Sequence, residues 1–228
     1  MAIPFVDWPE FEKTFRWSQG EHLTAMAPTG GGKTTLFKKL MPYRAANIMF
    51  GTKVEDDLYN QILKTGFKRI ERMSEMVPWH HNYILWPKFK KTIPEFVNRQ
   101  QNTFREALDV VVSQQRWTVW VDEAKYFAQY LKLDKELTFS LEQLRSIKAT
   151  VICGAQRPAW LTPSALSSST HVFIAKTTDR NDQIKLADVG GIDAKLVRDV
   201  AKTLGPFEFL YIKTRGTESH IVRTKVKE

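Results

Sequence analysis

The chain has 228 residues, of which 43% are hydrophobic and 26% are charged. This composition is that of a globular protein, and it excludes wholesale disorder and collagen-like repeats. The length suits a single core, so we predict one domain over 1–228 with a possible insertion at 67–91. The net charge of +9 is compatible with a polyanionic partner and equally with a basic, solvated surface.

Secretion and membrane insertion find no support in the sequence. Cys153 is the single cysteine, which rules out an internal disulfide and a cysteine-rich zinc site. The N-terminal sequence MAIPFVDWPEFEK carries acidic residues and lacks the apolar core of a signal peptide. No apolar run approaches the ~18–20 residues of a membrane-spanning helix. We therefore expect a soluble protein in the cytoplasm.

Apolar periodicity and turn residues predict an alternation of helices and strands along the chain. In chain order we predict a helix at 8–17, a strand at 21–26, a helix at 33–40, a strand at 45–51, a helix at 55–66, strands at 67–73 and 82–87, a helix at 92–115, a strand at 118–121, helices at 123–131 and 134–147, strands at 150–155 and 171–177, helices at 179–188 and 193–203, and a pair of strands near 207–213 and 219–226. This alternation favours an α/β fold with a mainly parallel sheet flanked by helices on both faces.

The segment APTGGGKTT at 27–35 follows a predicted strand and opens a predicted helix. It fits the phosphate-binding pattern of Gly, four residues and Gly-Lys-Ser/Thr, except that Ala27 takes the first glycine position. The glycines allow main-chain N–H groups to converge on phosphate oxygens, and Lys33 and Thr34 suit the β/γ-phosphates and Mg²⁺. The alternative is an ordinary glycine turn. The predicted nucleotide-binding residues are Pro28, Thr29, Gly30, Gly31, Gly32, Lys33, Thr34 and Thr35.

Two adjacent acids end the hydrophobic strand in WTVWVDEAKYF at 117–127. Asp122 stands where P-loop enzymes hold the magnesium shell, and Glu123 points differently because side-chain direction alternates along a strand. A carboxylate there can orient and polarise water for attack on a γ-phosphate. The alternative is a helix N-terminus with acids favoured by the helix dipole.

The segment TVICGAQRP at 150–158 is another buried strand with a polar end. Gln156 can sense a γ-phosphate or an attacking water, or it is a satisfied strand-end amide. Arg145 has the fixed charge of an arginine finger reaching a neighbouring subunit's nucleotide, or it is a solvated cation at a helix end. Arg157 is a second candidate for the same role.

Four segments together resemble the FtsK/HerA branch of the additional-strand P-loop ATPases. In this branch Gln-Arg-Pro is followed by a short helix with Pro-x-x-Leu, a strand and a Thr-Asp-x-x-Asp turn, and Thr162 to Asp182 reproduces that order. The segments, which lie within 23–188, are APTGGGKTT, TVWVDEA, LRSIKATVICGAQRP and LTPSALSSSTHVFIAKTTDRNDQIKLAD. The resemblance implies a RecA-like P-loop NTPase fold and a ring-forming motor that pumps double-stranded DNA using ATP and Mg²⁺.

The resemblance also implies roles for individual residues and partners. The compact size is similar to that of viral genome-packaging ATPases, which implies a homo-oligomeric ring (pentamer or hexamer), a capsid portal as partner, and a location in the host cytoplasm or the virion. The implied catalytic residues are Lys33, Glu123, Gln156 and Arg145, the last from a neighbouring subunit, and the implied metal residues are Thr34 and Asp122.

Several alternatives stay open at this point. A conjugation or secretion ATPase, an assembly ATPase that threads protein, and a small-molecule kinase share the phosphate-binding features. The DNA-facing residues are also open. Lys88, Lys90 and Lys91 can face DNA or belong to an insert packed on the core. Further candidates after the acidic pair are Lys125, Lys132 and Lys135.

Overall fold

The computed structural model describes residues 3–189, 192–215 and 220–227, whose nine strands form one mixed sheet. In chain order the strands are β1 (His22–Met26), β2 (Asn47–Phe50), β3 (Lys68–Ile70), β4 (Asn82–Leu85), β5 (Thr118–Val121), β6 (Thr150–Ala155), β7 (Ser169–Ile174), β8 (Glu208–Lys213) and β9 (His220–Lys225). Neighbours across the sheet follow the order β3-β4-β2-β5-β6-β1-β7-β8-β9. All pairs are parallel except β7 with β8 and β8 with β9. The predicted mainly parallel α/β sheet is confirmed. Residue 219 of the predicted strand at 219–226 lies outside the described residues.

The helices lie close to their predicted positions but are mostly shorter. They are α1 (Trp8–Thr14), α2 (Lys33–Leu40), α3 (Asp57–Leu63), α4 (Ile93–Gln114), α5 (Asp134–Gln143), α6 (Pro163–Ser167), α7 (Arg180–Lys185) and α8 (Ala194–Thr203). The predicted helix at 134–147 continues past α5 as a 3₁₀ turn, and that at 179–188 continues past α7 in the same way. The predicted helix at 123–131 is π-helical over Tyr126–Tyr130.

Helices cover both faces of the sheet, as expected for parallel strands such as β1, β2, β5 and β6 that are buried along their whole length. Helices α1, α2 and α3 pack on one face, while α4, α5, α6 and α8 pack on the other. On the first face, Phe37 of α2 lies edge-on to Trp120 of β5 with ring centroids 5.3 Å apart. On the second face, Phe104 of α4 stacks on Phe50 of β2 at 4.6 Å. Aromatic pairs of this kind fix the distance between each helix layer and the strands that carry the site.

The strand order determines which loops meet. Strand β6 lies between β1 and β5, with Met26 beside Ala155 and Val121 beside Cys153. All three strands are parallel, so their carboxyl ends share one edge of the sheet. The loops after β1, β5 and β6 are therefore adjacent. Strand β6 is the additional strand, which lies between the strand before the phosphate loop and the strand before the acidic pair. The segment 67–91 supplies β3 and β4, the two outermost strands of this same sheet on one side.

The two outermost strands of the sheet, β3 and β9, are short or charged. Strand β3 has only three residues, of which Lys68 is exposed. Beside β9, the N-terminal segment forms a bridge in which Val6 N donates to Arg223 O at 2.8 Å and Arg223 N donates to Pro4 O at 2.9 Å. Side chains of β9 that reach solvent include charged groups such as Lys225.

A buried histidine at the start of β1 makes the stability of the fold depend on pH. His22 is 1% exposed, and its Nδ1 accepts a hydrogen bond from Val151 N at 3.0 Å. Burial, aided by the charges of Arg145 and Arg215, lowers the pKa of His22 from 6.5 to about 4. Between pH 6.5 and about pH 4 the unfolded chain therefore binds a proton that the folded chain does not, so stability falls as the pH falls through this range.

We expect the free energy of unfolding to drop by about 2 kcal/mol between pH 7 and 5 through this group. The His22→Asn variant keeps an acceptor for Val151 and removes the titration, so urea unfolding should show a smaller drop. The exposed His81→Asn is the matched control and should keep the native pH profile. An equal drop in both variants would assign the pH dependence to other groups.

Candidate active site

One cavity of about 700 Å³ lies at the carboxyl ends of β1, β5 and β6. It is lined by the phosphate-loop residues, by the acidic pair and by Gln156. Of the predicted nucleotide-binding residues all but Gly31 line it, namely Pro28, Thr29, Gly30, Gly32, Lys33, Thr34 and Thr35. Gly31 instead closes the turn, where its N donates to Pro28 O at 2.8 Å. The structure thus places the predicted phosphate loop and the acidic pair around one space.

The phosphate loop depends on two glycines with left-handed backbone. Gly30 has φ +75° and Gly32 has φ +95°, a region that other residues adopt only under strain. Gly32 is the N-cap of α2 and offers no side-chain cap, so the first N–H groups of the helix are left for a ligand. Those N–H groups and the helix dipole both favour an anion at this position. The loop therefore has the backbone geometry and the electrostatic character that suit an anion such as phosphate.

Lys33 joins the loop to both acids. Its Nζ donates to the main-chain oxygen of Asp122 at 2.9 Å and lies 3.0 Å from Asp122 Oδ1. The same Nζ is 3.7 Å from Glu123 Oε1. Asp122 is 2% exposed and Glu123 is partly exposed, so the inner acid is shielded while the outer one faces the cavity. The two acids therefore occupy different environments around one ammonium group.

The polar end of β6 contacts the second acid directly. Gln156 Nε2 donates to Glu123 Oε1 at 3.1 Å. Because β6 lies between β1 and β5, this amide sits beside both the phosphate loop and the acidic pair. Because Gln156 contacts Glu123 and lines the cavity, its position can change when Glu123 contacts a ligand.

Lys53 is a site residue that we did not predict. It follows β2, and its Nζ lies 3.8 Å from Glu123 Oε1 and pairs with Asp56, the N-cap of α3. Burial acts to lower the pKa of Lys53, but Asp56, Asp122 and Glu123 outweigh it and raise the pKa. Glu123 therefore lies between two lysines. The sequence shows a lysine shortly after a buried strand, but predicting that this lysine reaches Glu123 required knowing that β2 adjoins β5.

The loop that carries Lys53 is held by the side chains of Trp86 and Gln100. Trp86 Nε1 donates to Lys53 O at 2.6 Å, and Gln100 Nε2 donates to Thr52 O at 3.0 Å. The phenol of Tyr126 in turn donates to Gln100 Oε1 at 2.8 Å. Gln100 is fully buried, so this amide ties the Lys53 loop to the π-helical turn just after the acidic pair. Such a turn often marks a functional position in a helix.

Phe207 is a second unpredicted lining residue. Its backbone has φ +60°, and its side chain packs over Gly32 so closely that an added Cβ there would lie 2.9 Å from Phe207 Cδ1. A strained non-glycine residue at a cavity commonly has a structural or functional task. Here the ring forms one wall of the cavity beside the phosphate loop.

The two candidate arginine fingers lie apart from this cavity or are already paired. Arg145 is exposed beside His22, at the amino-terminal end of β1, and does not line the cavity. Arg157 follows Gln156, but its guanidinium pairs with Asp179 at 2.8 Å and Asp182 at 2.9 Å. Neither arginine completes the site of its own chain within the described residues.

The lysines considered for DNA contact are in mixed environments. Lys88 Nζ lies 3.4 Å from Glu71 Oε1, and Lys125 Nζ lies 4.1 Å from the ring centroid of Trp160. Lys90, Lys91 and Lys132 are exposed. Lys135 lies in the first turn of α5.

A three-residue metal cluster and a membrane-spanning helix are both absent from the described ranges. In 3–189, 192–215 and 220–227, no cluster of three or more His, Cys, Asp or Glu side chains is arranged to hold a metal ion. None of the helices in those ranges has the length and apolar character needed to cross a membrane.

Known structures share this architecture at low sequence identity. The genome packaging NTPase B204 from Sulfolobus turreted icosahedral virus 2, in complex with AMPPCP, is 15% identical with a TM-score of 0.66, over 90% of this chain and 97% of that chain. B204, the DNA-packaging ATPase from Sulfolobus Turreted Icosahedral Virus, is 17% identical with a TM-score of 0.64, over 90% and 98%. VirB4 of Thermoanaerobacter pseudethanolicus is 11% identical with a TM-score of 0.67, over 91% and 89%.

Sequence comparison alone gives no relative, since no protein-family model and no curated protein matches the chain. The likeness is one of structure, and it covers nearly the whole of both chains in the three cases above. The chain thus has the P-loop ATPase fold of these viral packaging and VirB4 proteins, and the FtsK/HerA-type resemblance of its sequence is confirmed at the level of the fold.

Proposed function

We propose that this protein hydrolyses ATP and uses the energy to translocate double-stranded DNA, in the manner of a viral genome-packaging motor. The observation that carries the proposal is the convergence in one cavity of phosphate-loop amides, Lys33 and the acids Asp122 and Glu123. Two further observations support it: the basic net charge of +9, and the fold shared with a genome packaging NTPase. A kinase is less favoured, because we identify no acceptor-binding site among the described residues that line the cavity.

The residues present fit a magnesium ion. Asp122 Oδ1 is buried and makes no hydrogen bond among the described residues, although Lys33 Nζ lies 3.0 Å away. The hydroxyl of Thr34 lines the same cavity. Carboxylate and hydroxyl oxygens are ligands that Mg²⁺ prefers in nucleotide sites, so Asp122 and Thr34 would hold it. When bound, Mg²⁺ neutralises charge on the β- and γ-phosphate oxygens.

In the proposed mechanism, each of the residues around the cavity has its own role in hydrolysis. The N–H groups at the start of α2 and the ammonium of Lys33 bind the phosphates and stabilise charge on the γ-phosphate. Glu123 orients a water and accepts its proton as the water oxygen bonds to the γ-phosphorus, while the bond from that phosphorus to the β,γ-bridging oxygen breaks and ADP leaves. Gln156, through its contact with Glu123, reports whether the γ-phosphate is present. Lys53, whose Nζ lies 3.8 Å from Glu123 Oε1, helps to hold the Glu123 side chain in position beside the cavity.

The motor function requires an assembly. In the proposal, subunits form a homo-oligomeric ring docked on a capsid portal, and Arg145 reaches the nucleotide of the neighbouring subunit. Its exposed position, away from the cavity of its own chain, supports that role over a role in the same subunit. Arg157 is less suited because Asp179 and Asp182 already hold its guanidinium.

The test is the rate of phosphate release with and without duplex DNA. We expect measurable hydrolysis that requires Mg²⁺ and rises several-fold when linear duplex DNA is added at low salt. Stimulation by an unfolded protein substrate instead of DNA would support a protein-threading ATPase. Phosphate transfer only in the presence of a small-molecule acceptor would support a kinase, and either result would contradict the proposal.

A further inference from the structure

We infer that the groove between α7 and α8 binds the phosphate backbone of duplex DNA. The inference rests on the proposed DNA-translocating function and assigns it a surface. The groove has a volume of about 440 Å³ and is lined by four cationic side chains and one acid. These are Arg180 from α7, with Lys195, Arg198, Lys202 and Asp199 from α8.

The charges of this groove are mostly uncompensated. Asp199 lies 3.7 Å from Lys202, and it is the one acid that pairs with the groove's four cations in the described part of the chain. Arg198 uses its Nε to donate to Ala194 O at 3.2 Å, which leaves the rest of its guanidinium facing the groove. A concave surface with three surplus positive charges attracts a polyanion.

The spacing of the cations suits a nucleic acid strand. Lys195, Arg198 and Lys202 recur at positions i, i+3 and i+7 and so share one face of α8. They cover a length of about 10 Å, at 1.5 Å of rise per residue. Duplex DNA carries one negative charge per about 1.7 Å of its axis, so such a row can face several phosphates at once. Contacts to phosphate carry no sequence information, which suits a protein that moves along DNA of any sequence.

The groove is also connected to the active site. Gln156 contacts Glu123, and the next residue, Arg157, pairs with Asp179 and Asp182, the N-cap and first turn of α7. Ala159 N adds a hydrogen bond to Asp182 Oδ1 at 3.0 Å. Helix α8 is bonded to the segment just before α7, because Thr177 N donates to Ala201 O at 3.0 Å. A movement of the segment after β6 would therefore be passed directly to the groove.

The lysines at 88–91 form the competing surface. Lys88 is paired with Glu71, and no ion pair joins that segment to the residues around Glu123 in the ranges that the structure describes. The α7–α8 groove is concave and is connected to Gln156 through Arg157, so it is the surface we assign.

The test compares two variants that each remove three positive charges. The first is Lys195→Gln, Arg198→Gln and Lys202→Gln in one chain, and the second is Lys88→Gln, Lys90→Gln and Lys91→Gln. We measure affinity for a duplex of random sequence by fluorescence anisotropy between 50 and 200 mM salt. The α8 variant should lose affinity at least about tenfold, and its slope of log K against log salt should fall by about 2.7 in magnitude. Both variants should keep the native ATPase rate without DNA.

The outcomes are distinct. A native affinity and slope in the α8 variant, or an equal loss in both variants, would overturn the assignment while leaving DNA binding itself intact. No binding by the native chain at 50 mM salt would overturn the DNA part of the proposed function. The ATPase rate without DNA tests the hydrolysis part separately. If the triple variant fails to fold, Lys195→Gln with Lys202→Gln removes only exposed charges, and its slope should fall by about 1.8.

Discussion

The Glu123→Gln variant is expected to bind ATP as the native protein does and to hydrolyse it at least about 100-fold more slowly. Glutamine has the size of glutamate and keeps an oxygen that can accept from Gln156 Nε2. It has no negative charge and cannot take a proton from the attacking water. The loss should therefore appear in kcat with KM nearly unchanged, since the phosphate-loop contacts of the substrate are untouched.

Two measurements check this result: steady-state phosphate release, and equilibrium binding of a non-hydrolysable ATP analogue. The matched control is Glu106→Gln, which removes the same charge from an exposed position on α4 and should keep the native rate. Hydrolysis by Glu123→Gln within about threefold of the native rate would remove Glu123 from the role of base and redirect attention to the inner acid, Asp122.

Gly154→Ala is expected to lower the free energy of unfolding by at least about 2 kcal/mol and to weaken nucleotide binding at the same time. A Cβ on Gly154 of β6 would lie 2.5 Å from Asp122 O and 3.0 Å from Phe37 Cζ. The first atom belongs to the acidic strand end, and the second to the helix that follows the phosphate loop. A methyl group there must push both apart, and Asp122 O is the oxygen to which Lys33 donates.

Urea unfolding gives the stability, and analogue binding gives the coupled effect on the site. Gly205→Ala serves as the control, because its added Cβ would meet only Glu208 Oε2, at 3.4 Å. We expect that variant to stay within about 0.5 kcal/mol of the native protein. If Gly154→Ala unfolds at the same urea concentration as Gly205→Ala, the two strands have more room between them than these distances indicate.

The parts of the site that the sequence could predict are those specified locally. The phosphate loop needs only a strand, its glycines and the start of a helix, and all lie within 22–40. Asp122 and Glu123 were predicted in the same way, from the buried strand before them. Gln156 was also predicted, from the polar end of its strand, and its contact with Glu123 is possible because β6 lies beside β5.

The features that were not predicted depend on contacts between distant segments. Lys53 reaches Glu123 because β2 adjoins β5, and no pattern near residue 53 specifies that neighbour. The pairing of Arg157 with Asp179 and Asp182 likewise joins two loops through the fold. The π-helical turn at Tyr126–Tyr130 differs from an α-helix by one residue per turn, and apolar spacing over five residues does not resolve that difference.

The two outermost strands have a consequence for how copies of this chain can associate. An open strand with free N–H and C=O groups recruits further strands and leads to fibrils, whereas short or charged outer strands, or ones already bridged, resist it. Here β3 spans three residues and begins with an exposed lysine, while the N-terminal segment occupies part of β9. Association by main-chain pairing is therefore disfavoured at both of these strands. Copies that assemble as proposed would contact one another through side chains of helices and loops, which can separate and rejoin without disrupting the sheet.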